Sequence, residues 1–418
     1  MSGHEGGHGH DHGDGGELTP VEAYLDVISG TIRPLAPSLL ELADAEGGVL
    51  AEDVTAAVSL PSFDNSAMDG YAVRASDVSG ASSPTLVTLP VTAEIAAGDI
   101  GAYKLVPGTA MKIMTGAQLP ADADAVVPVE WTDGGDVRVL VSRSVAAGNA
   151  VRFLGGDARA GDVLLPAGVR MRPMHIAVAA SAGRRAVPVR PRPRVVVLST
   201  GNELTEPGTP LVPGRIWDSN SYMLAALARE AGAVAFRRSV VPDDVAGVLP
   251  AIEEQLIHAD LIITTGGVSM GGSHDVVKAA LTELGTVTFR KVAMQPGMPQ
   301  GFGMLGTAEP VPIFTLPGNP VSAYVSFQLF VRPALGLLQG LDDLRLPVVP
   351  ATLTSSVRSP AGRRSYLRGV LSSGKVEPLS GQGSHQIAAL GRSNALIIVP
   401  ERETELPADD TVDVVVLP

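Results

Sequence analysis

The sequence predicts a doubly wound α/β domain set between β-rich modules in a multidomain chain. Three observations carry this expectation. Over residues 193–345 continuous apolar runs alternate with segments of helical periodicity, the pattern of parallel strands buried on both faces. On either side, short β-prone runs are cut by Gly, Pro and Asp-Gly turns. The 418 residues also exceed what one core of ~100–200 residues organises. Hydrophobic residues make up 45% of the chain but aromatics only 4%, so the cores are expected to consist of Ala, Val, Leu and Ile.

In chain order, residues 1–16 are Gly, His and Asp without an apolar anchor and read as a disordered tail. His4, His8, His10 and His12 could hold a divalent metal loosely, although a solvated tail is the simpler reading. A helix is expected from Thr19-Pro20, with Thr19 capping and Val21, Tyr24, Leu25 and Ile28 at helical spacing. A second is expected from Pro37 to Ala45, ended by Gly47-Gly48. Strands are expected at 86–89, 110–114, 126–129 and 137–141, then a helix at 173–181 and a boundary at 188–193. Beyond it, strands at 195–199, 234–240, 261–265, 287–291 and 311–316 alternate with helices at 219–232, 243–258, 275–284 and 321–338. From Pro347 to Pro418 short strands return.

The net charge is −13, which disfavours a nucleic-acid coat or a basic membrane-surface protein. Zero cysteines remove disulfides, iron–sulfur clusters, thiolate zinc sites and cysteine nucleophiles. The sequence reads as having no apolar run of ~18 residues and no charged-then-apolar leader, so a cytoplasmic protein with no membrane partner is the expectation.

In such sheets ligands bind outside the carboxyl ends of the strands. Three segments expected there are rich in glycine and hydroxyls: Ser199-Thr200-Gly201-Asn202-Glu203-Leu204, Thr264-Thr265-Gly266-Gly267-Val268-Ser269-Met270-Gly271-Gly272, and Leu316-Pro317-Gly318-Asn319-Pro320-Val321-Ser322. Glycines let backbone amides approach an anion, and Thr265, Ser269 and Ser322 add hydroxyl donors, so a phosphate-bearing ligand is expected. Asp243 and Asp275 flank these segments. Each could be a helix cap, and each could hold Mg²⁺ beside a phosphate. Two further loops could be part of a site: 61–72 with Asp64, Asn65, Ser66 and Asp69, which otherwise reads as a self-bonded turn, and 111–117 with Thr115, which otherwise reads as an ordinary strand ending in a turn.

The motifs FDNSAMDGYAVR, MKIMTGAQLPADADAVVPVE, STGNEL, TTGGVSMG, LPGNPVS and GQGSH occur in this order in one chain. Together they resemble the molybdopterin molybdenumtransferase family, MoeA in bacteria and the gephyrin E-domain in animals, from about residue 17 to the C-terminus. The resemblance implies a four-domain homodimer. Its domains would be a discontinuous linker and dimer domain (17–59 and 152–192), a β-rich domain (60–151), a molybdopterin-binding α/β domain (193–345) and a β-barrel-like domain (346–418). It implies insertion of molybdate into adenylated molybdopterin with release of AMP, assisted by Mg²⁺, at a site between the α/β domain of one subunit and the β-rich domain of the other. A molybdopterin adenylyltransferase that delivers substrate and enzymes that accept the cofactor are implied partners.

Carried over residue by residue, the resemblance assigns catalytic positions to Asp69, Thr115, Asp157, Glu203, Asp243, Asp275 and Lys291. It places metal binding at Asp243 and Asp275, and the molybdate oxyanion at Arg363 and Ser384. The substrate cradle falls on Thr200, Gly201, Thr265, Gly266, Gly267, Ser269, Pro317, Gly318, Asn319, Pro320 and Ser322. Gln295 and Met298 stand where many relatives have lysines, Val276 where a tyrosine is frequent, and Gly156 where an acid is usual. Three other readings remain: an adenylyltransferase consuming ATP, a cofactor or molybdate carrier or scaffold without turnover, and, from Gln295 and Met298, a degenerate paralogue accepting tungstate or a modified pterin.

Overall fold

The computed structural model of the protein describes residues 18–238, 245–266, 281, 287–306, 309–341 and 344–418. The His-rich tail, most of the second glycine-rich segment and, apart from Leu281, the expected helix at 275–284 lie outside the described residues. The chain forms two compact units. One comprises Met1–Ser38, Gly47–Val49 and Arg190–Pro418, the other Leu39–Glu46 and Leu50–Val189.

The first unit is built on a six-stranded sheet in the order Val234–Arg237, Arg194–Ser199, Leu261–Thr265, Val311–Leu316, Pro299–Leu305, Val287–Lys291. The first four strands are parallel, and Pro299–Leu305 runs antiparallel to both of its neighbours, so Val287–Lys291 points the same way as the first four. Successive side chains of the central strands enter different cores. Val195, Val197, Leu261 and Ile263 pack with Leu224, Leu227, Phe327 and Phe330, whereas Val196, Leu198, Ile262 and Ile313 pack with Val248 and Ile252. This two-sided burial is why these strands read as unbroken apolar runs.

The strand Pro299–Leu305 is not predicted by the sequence, because its Gly and Pro content reads as loop. Gly301 lies opposite Phe289 in the antiparallel pair, where an added Cβ would come within 2.7 Å of the Phe289 ring. The expected capping by Thr19 is also absent. Thr19 instead donates its backbone N–H to the Lys291 carbonyl (2.8 Å), and the helix Val21–Thr31 begins without a side-chain cap.

Pro320–Leu338 is one continuous helical stretch, with a π-turn at Phe327–Val331 just before Pro333, which has no N–H to donate one turn back. Contrary to the reading of the sequence, its 19 residues are long and apolar enough to cross a membrane by length and composition. Its most apolar window is 72% buried inside the fold, the placement of a core helix. Towards the C-terminus five strands close into a ring: Arg364–Ser372, Lys375–Pro378, Val348–Leu353, Thr411–Val416 and Ala395–Val399, the last pairing back to the first.

The second unit carries a five-stranded sheet in the order Ala125–Pro128, Gly70–Val73, Ala110–Ile113, Val87–Ile95, Arg138–Val141. Gly70 is required by close approach, since a Cβ there would fall 2.0 Å from the Val127 carbonyl oxygen. The helix Pro173–Ser181 falls where the sequence predicts it. The helix expected at 37–45 does not form; residues Ser38–Glu41 are a short strand followed by turns. Strand pairing overrides the local helical pattern there.

Candidate active site

The three glycine-lined segments meet, in their described parts, around one cavity of about 720 Å³ in the first unit. Thr200, Gly201 and Glu203 line it from the first segment, Thr265 and Gly266 from the second, and Pro317, Gly318, Asn319 and Pro320 from the third. The parallel strands Arg194–Ser199, Leu261–Thr265 and Val311–Leu316 deliver these segments side by side at their carboxyl ends. The backbones almost touch. A Cβ on Gly266, whose φ is +97°, would lie 2.4 Å from the Thr200 carbonyl oxygen, and one on Gly318 would lie 3.6 Å from the Gly266 Cα. A Cβ on Gly201 would come within 2.7 Å of the Glu203 carboxylate, so glycine lets that acid fold back over the turn.

The buried hydroxyls and amides behind this wall bond inward. Thr265 donates its hydroxyl to the Pro317 carbonyl (3.2 Å) and accepts Asn220 Nδ2 (2.9 Å), which also donates to the Gly318 carbonyl (2.7 Å). The Thr265 hydroxyl therefore positions the third segment, where the sequence suggested a phosphate donor. Asn220 Oδ1 is buried with no protein partner. Ser322 is buried in the first turn of its helix and does not line the cavity. The Val321 amide donates to the Ser384 carbonyl (3.1 Å), so part of that helix end is already satisfied.

Asp218 organises the other side. It is 1% exposed and accepts Ser199 Oγ (3.0 Å), the Ser221 amide (3.1 Å) and Ser221 Oγ (2.5 Å), capping the helix Asn220–Glu230 while tying it to the strand end. Arg237 Nε donates to Ser221 Oγ (2.8 Å), and its Nη2 reaches both oxygens of Glu206 (3.1 and 3.2 Å). The Tyr222 hydroxyl also donates to Glu206, whose carboxyl is held below the usual range chiefly by that bond, with Arg237 adding to it.

Ser384 stands at the rim, where its hydroxyl accepts Asn319 Nδ2 (3.1 Å), and the adjoining His385 and Ile387 line the cavity. Beneath this turn lies Arg368, fully buried, whose Nη2 donates to the Gly381 carbonyl and to that of Gly383 (3.2 Å). Its Nε and Nη1 are buried without a partner, and desolvation pushes the guanidinium pKa down. Arg363 and Lys291 are half-buried and do not line the cavity. Pro299, next to Met298, does.

In the second unit the register Gly70–Ile113 sets Asp69 beside Thr115. Asp69 Oδ1 accepts both the Thr115 amide and its hydroxyl, each at 2.7 Å. These bonds, the amide's first, hold the Asp69 carboxyl below the usual range. The rest of the 61–72 loop is self-bonded or locally anchored: Asn65 Nδ2 donates to the Phe63 carbonyl, Ser66 Oγ to that of Met68, and Asp64 accepts the Leu154 amide. The Asp157 side chain is exposed, while its amide donates to the Leu60 carbonyl.

Gly267, Ser269, Asp243 and Asp275 lie outside the described residues. Among the described residues no three of His, Asp and Glu converge to hold a metal. Sequence reasoning misses Asp218, Asn220 and Arg368. A signal existed for each: Asp218-Ser219-Asn220 opens a helix just past a strand-end loop, and Arg368 interrupts an apolar strand run.

Comparison with known proteins covers nearly the whole chain. Residues 19–183 match the family described as MoeA N-terminal region (domain I and II), residues 196–336 the "Probable molybdopterin binding domain", and residues 350–417 the MoeA C-terminal region (domain IV). The chain is 45% identical over 405 residues to molybdopterin molybdenumtransferase 2 of Mycobacterium tuberculosis (strain ATCC 25618 / H37Rv), covering 95% of this chain and 99% of the relative. It is 36% identical to the molybdopterin molybdenumtransferase of Haemophilus influenzae, covering 95% and 98%. The crystal structure of the molybdopterin biosynthesis MoeA protein from Pyrococcus horikosii superposes with a TM-score of 0.80 at 30% identity, covering 96% of this chain and 99% of that one.

Proposed function

The chain belongs to the MoeA family of molybdopterin molybdenumtransferases, and from that membership we infer that it inserts molybdate into adenylated molybdopterin with release of AMP. It is a transferase of molybdenum cofactor biosynthesis. The observation that carries the finer reading is the convergence of three glycine-lined strand ends on one cavity, inside the segment that matches a molybdopterin-binding domain.

Molybdate and a phosphate-linked nucleotide are both anionic, so the site has to bring like charges together. In this reading the backbone at Gly201, Gly266 and Gly318 receives the phosphates, and Glu203 orients the ligand from the rim. Asn220 and Thr265 keep the third segment in register with the second. Ser384, with Arg368 beneath it, receives the molybdate oxyanion, and Lys291 adds long-range positive charge. Positioning and charge neutralisation carry the rate, without a covalent enzyme intermediate. Mg²⁺ is the proposed assisting ion, with Asp243 and Asp275 as its candidates; it would screen phosphate charge when bound.

We further propose that the protein works as a cytoplasmic homodimer. Asp69, Thr115 and Asp157 of one copy would then complete the cavity of the other. A molybdopterin adenylyltransferase would supply the substrate, and molybdenum enzymes would accept the product. The decisive test is incubation with adenylated molybdopterin, Mg²⁺ and molybdate, following AMP. The expected result is AMP release that depends on molybdate. ATP consumption with free molybdopterin would replace this reading by adenylyl transfer, and stoichiometric retention of ligand without AMP would replace it by a carrier.

A further inference from the structure

We propose that Trp217 is a stacking platform for the fused heteroaromatic ring of the ligand, adenine or pterin. The inference rests on the reading of the cavity as the nucleotide-substrate site. Trp217 lines that cavity and is 51% exposed, although an indole is among the side chains that gain most from burial. Its Nε1–H donates to the Thr209 carbonyl (2.9 Å), so the polar edge of the ring is satisfied from within its own loop. Among the described residues no other ring and no cation covers the indole; the stacked guanidiniums are those over Trp131 and Tyr222. Ile216, 56% exposed, and Ile387, 42% exposed, add apolar surface to the same cavity. The cavity thus combines glycine-lined backbone and hydroxyls with an apolar, aromatic part. That polarity fits a ligand with phosphate at one end and a flat ring at the other.

The indole is also held in place before any ligand arrives. The pair Leu204–Thr205 runs parallel to Ile216–Trp217, which closes the loop that carries the ring. At one end of that loop Glu206 is fixed by Tyr222 and Arg237, whose guanidinium lies 3.2 Å from the centre of the Tyr222 ring. At the other, Asp218, the residue after Trp217, is fixed by Ser199 and Ser221. Ser221 in turn accepts Arg237, so one network clamps both ends. A platform fixed in this way loses little freedom when a ring stacks on it.

The test measures binding by calorimetry of AMP, of 6-hydroxymethylpterin and of molybdate to the full chain and to its Trp217→Ala and Trp217→Phe variants. A Trp131→Phe background leaves Trp217 as the single indole of the two, so its emission reports AMP directly. Stacking predicts that Trp217→Ala weakens one of the two rings by roughly 5- to 150-fold. Trp217→Phe should recover most of that loss, and molybdate binding should be unchanged. Loss confined to AMP assigns adenine to the indole, and loss confined to the pterin assigns the pterin. If Trp217→Ala binds both rings as the parent chain does, the stacking inference is overturned and the cavity reading stands. If the parent chain binds neither ring, the cavity reading falls and takes the inference with it.

Discussion

The cavity of the first unit and the Asp69–Thr115 pair of the second are both polar clusters, but they are built in opposite ways. Around the cavity, Asp218, Asn220, Thr265 and Arg368 are buried and spend their hydrogen bonds on the protein. Asp69 and Thr115 are exposed, and the Asp69 carboxylate is held by two short contacts from Thr115 at 2.7 Å. Buried polar groups can shape a site only by also holding the fold together, because an orphaned partner costs ~1–3 kcal/mol. Exposed groups can be changed without that penalty, so an activity lost there reports chemistry more directly than one lost at the buried network.

The strongest way to break this contrast is Asp218→Ala. It removes a helix cap and leaves the hydroxyls of Ser199 and Ser221 without their acceptor in a site 1% exposed. The expected destabilisation is on the order of 3 kcal/mol, read as a lowered thermal midpoint together with lost AMP release. An unchanged melting curve would mean that the network is decorative and that the contrast fails.

The same division governs how much of the molecule is legible in the sequence. The parallel strands are readable because residues 195–198 and 261–263 are apolar on both faces, which few other structures require. The glycine-rich segments are readable because clustered glycines just past an apolar strand mark a backbone that something must approach closely. The partners of the buried network are not readable, since Asn220 and Gly318 lie 98 positions apart and only the strand order brings them together. Pro299–Leu305 is hidden for a related reason. Gly301 makes room for a ring across the sheet, and nothing local distinguishes it from a turn residue. In the second unit the Asp69–Thr115 contact follows from the Gly70–Ile113 register, a pairing that the motifs themselves do not encode.

A sharper comparison separates two arginines, Arg363 just before the strand Arg364–Ser372 and Arg368 at its middle. Neither lines the cavity, but Arg368 is fully buried and tied to the carbonyls of Gly381 and Gly383 under Ser384, whereas Arg363 is half-buried. Arg368→Lys keeps a positive charge but loses the fork that reaches two carbonyls. Molybdate-dependent AMP release should fall roughly 10- to 150-fold, the worth of a hydrogen bond to a charged group, while Arg363→Lys should stay close to the parent rate. Equal losses in the two variants would return Arg363 to the oxyanion site.

The smallest expected effect is at the exposed pair. In Thr115→Val the Asp69 carboxyl keeps the stronger backbone donor and loses the hydroxyl, so its pKa should move part of the way back up to the ordinary carboxylate range. A carboxyl whose folded pKa is depressed contributes stability above its unfolded pKa and loses that contribution as pH falls through the folded value. The parent chain should therefore carry a slightly stronger acid sensitivity at this site than Thr115→Val, with nearly the same melting point at neutral pH. A carbon-13 titration of the Asp69 carboxyl reads this directly. Coincident curves for the two chains would assign the whole shift to the backbone amide and leave the hydroxyl free to serve a ligand.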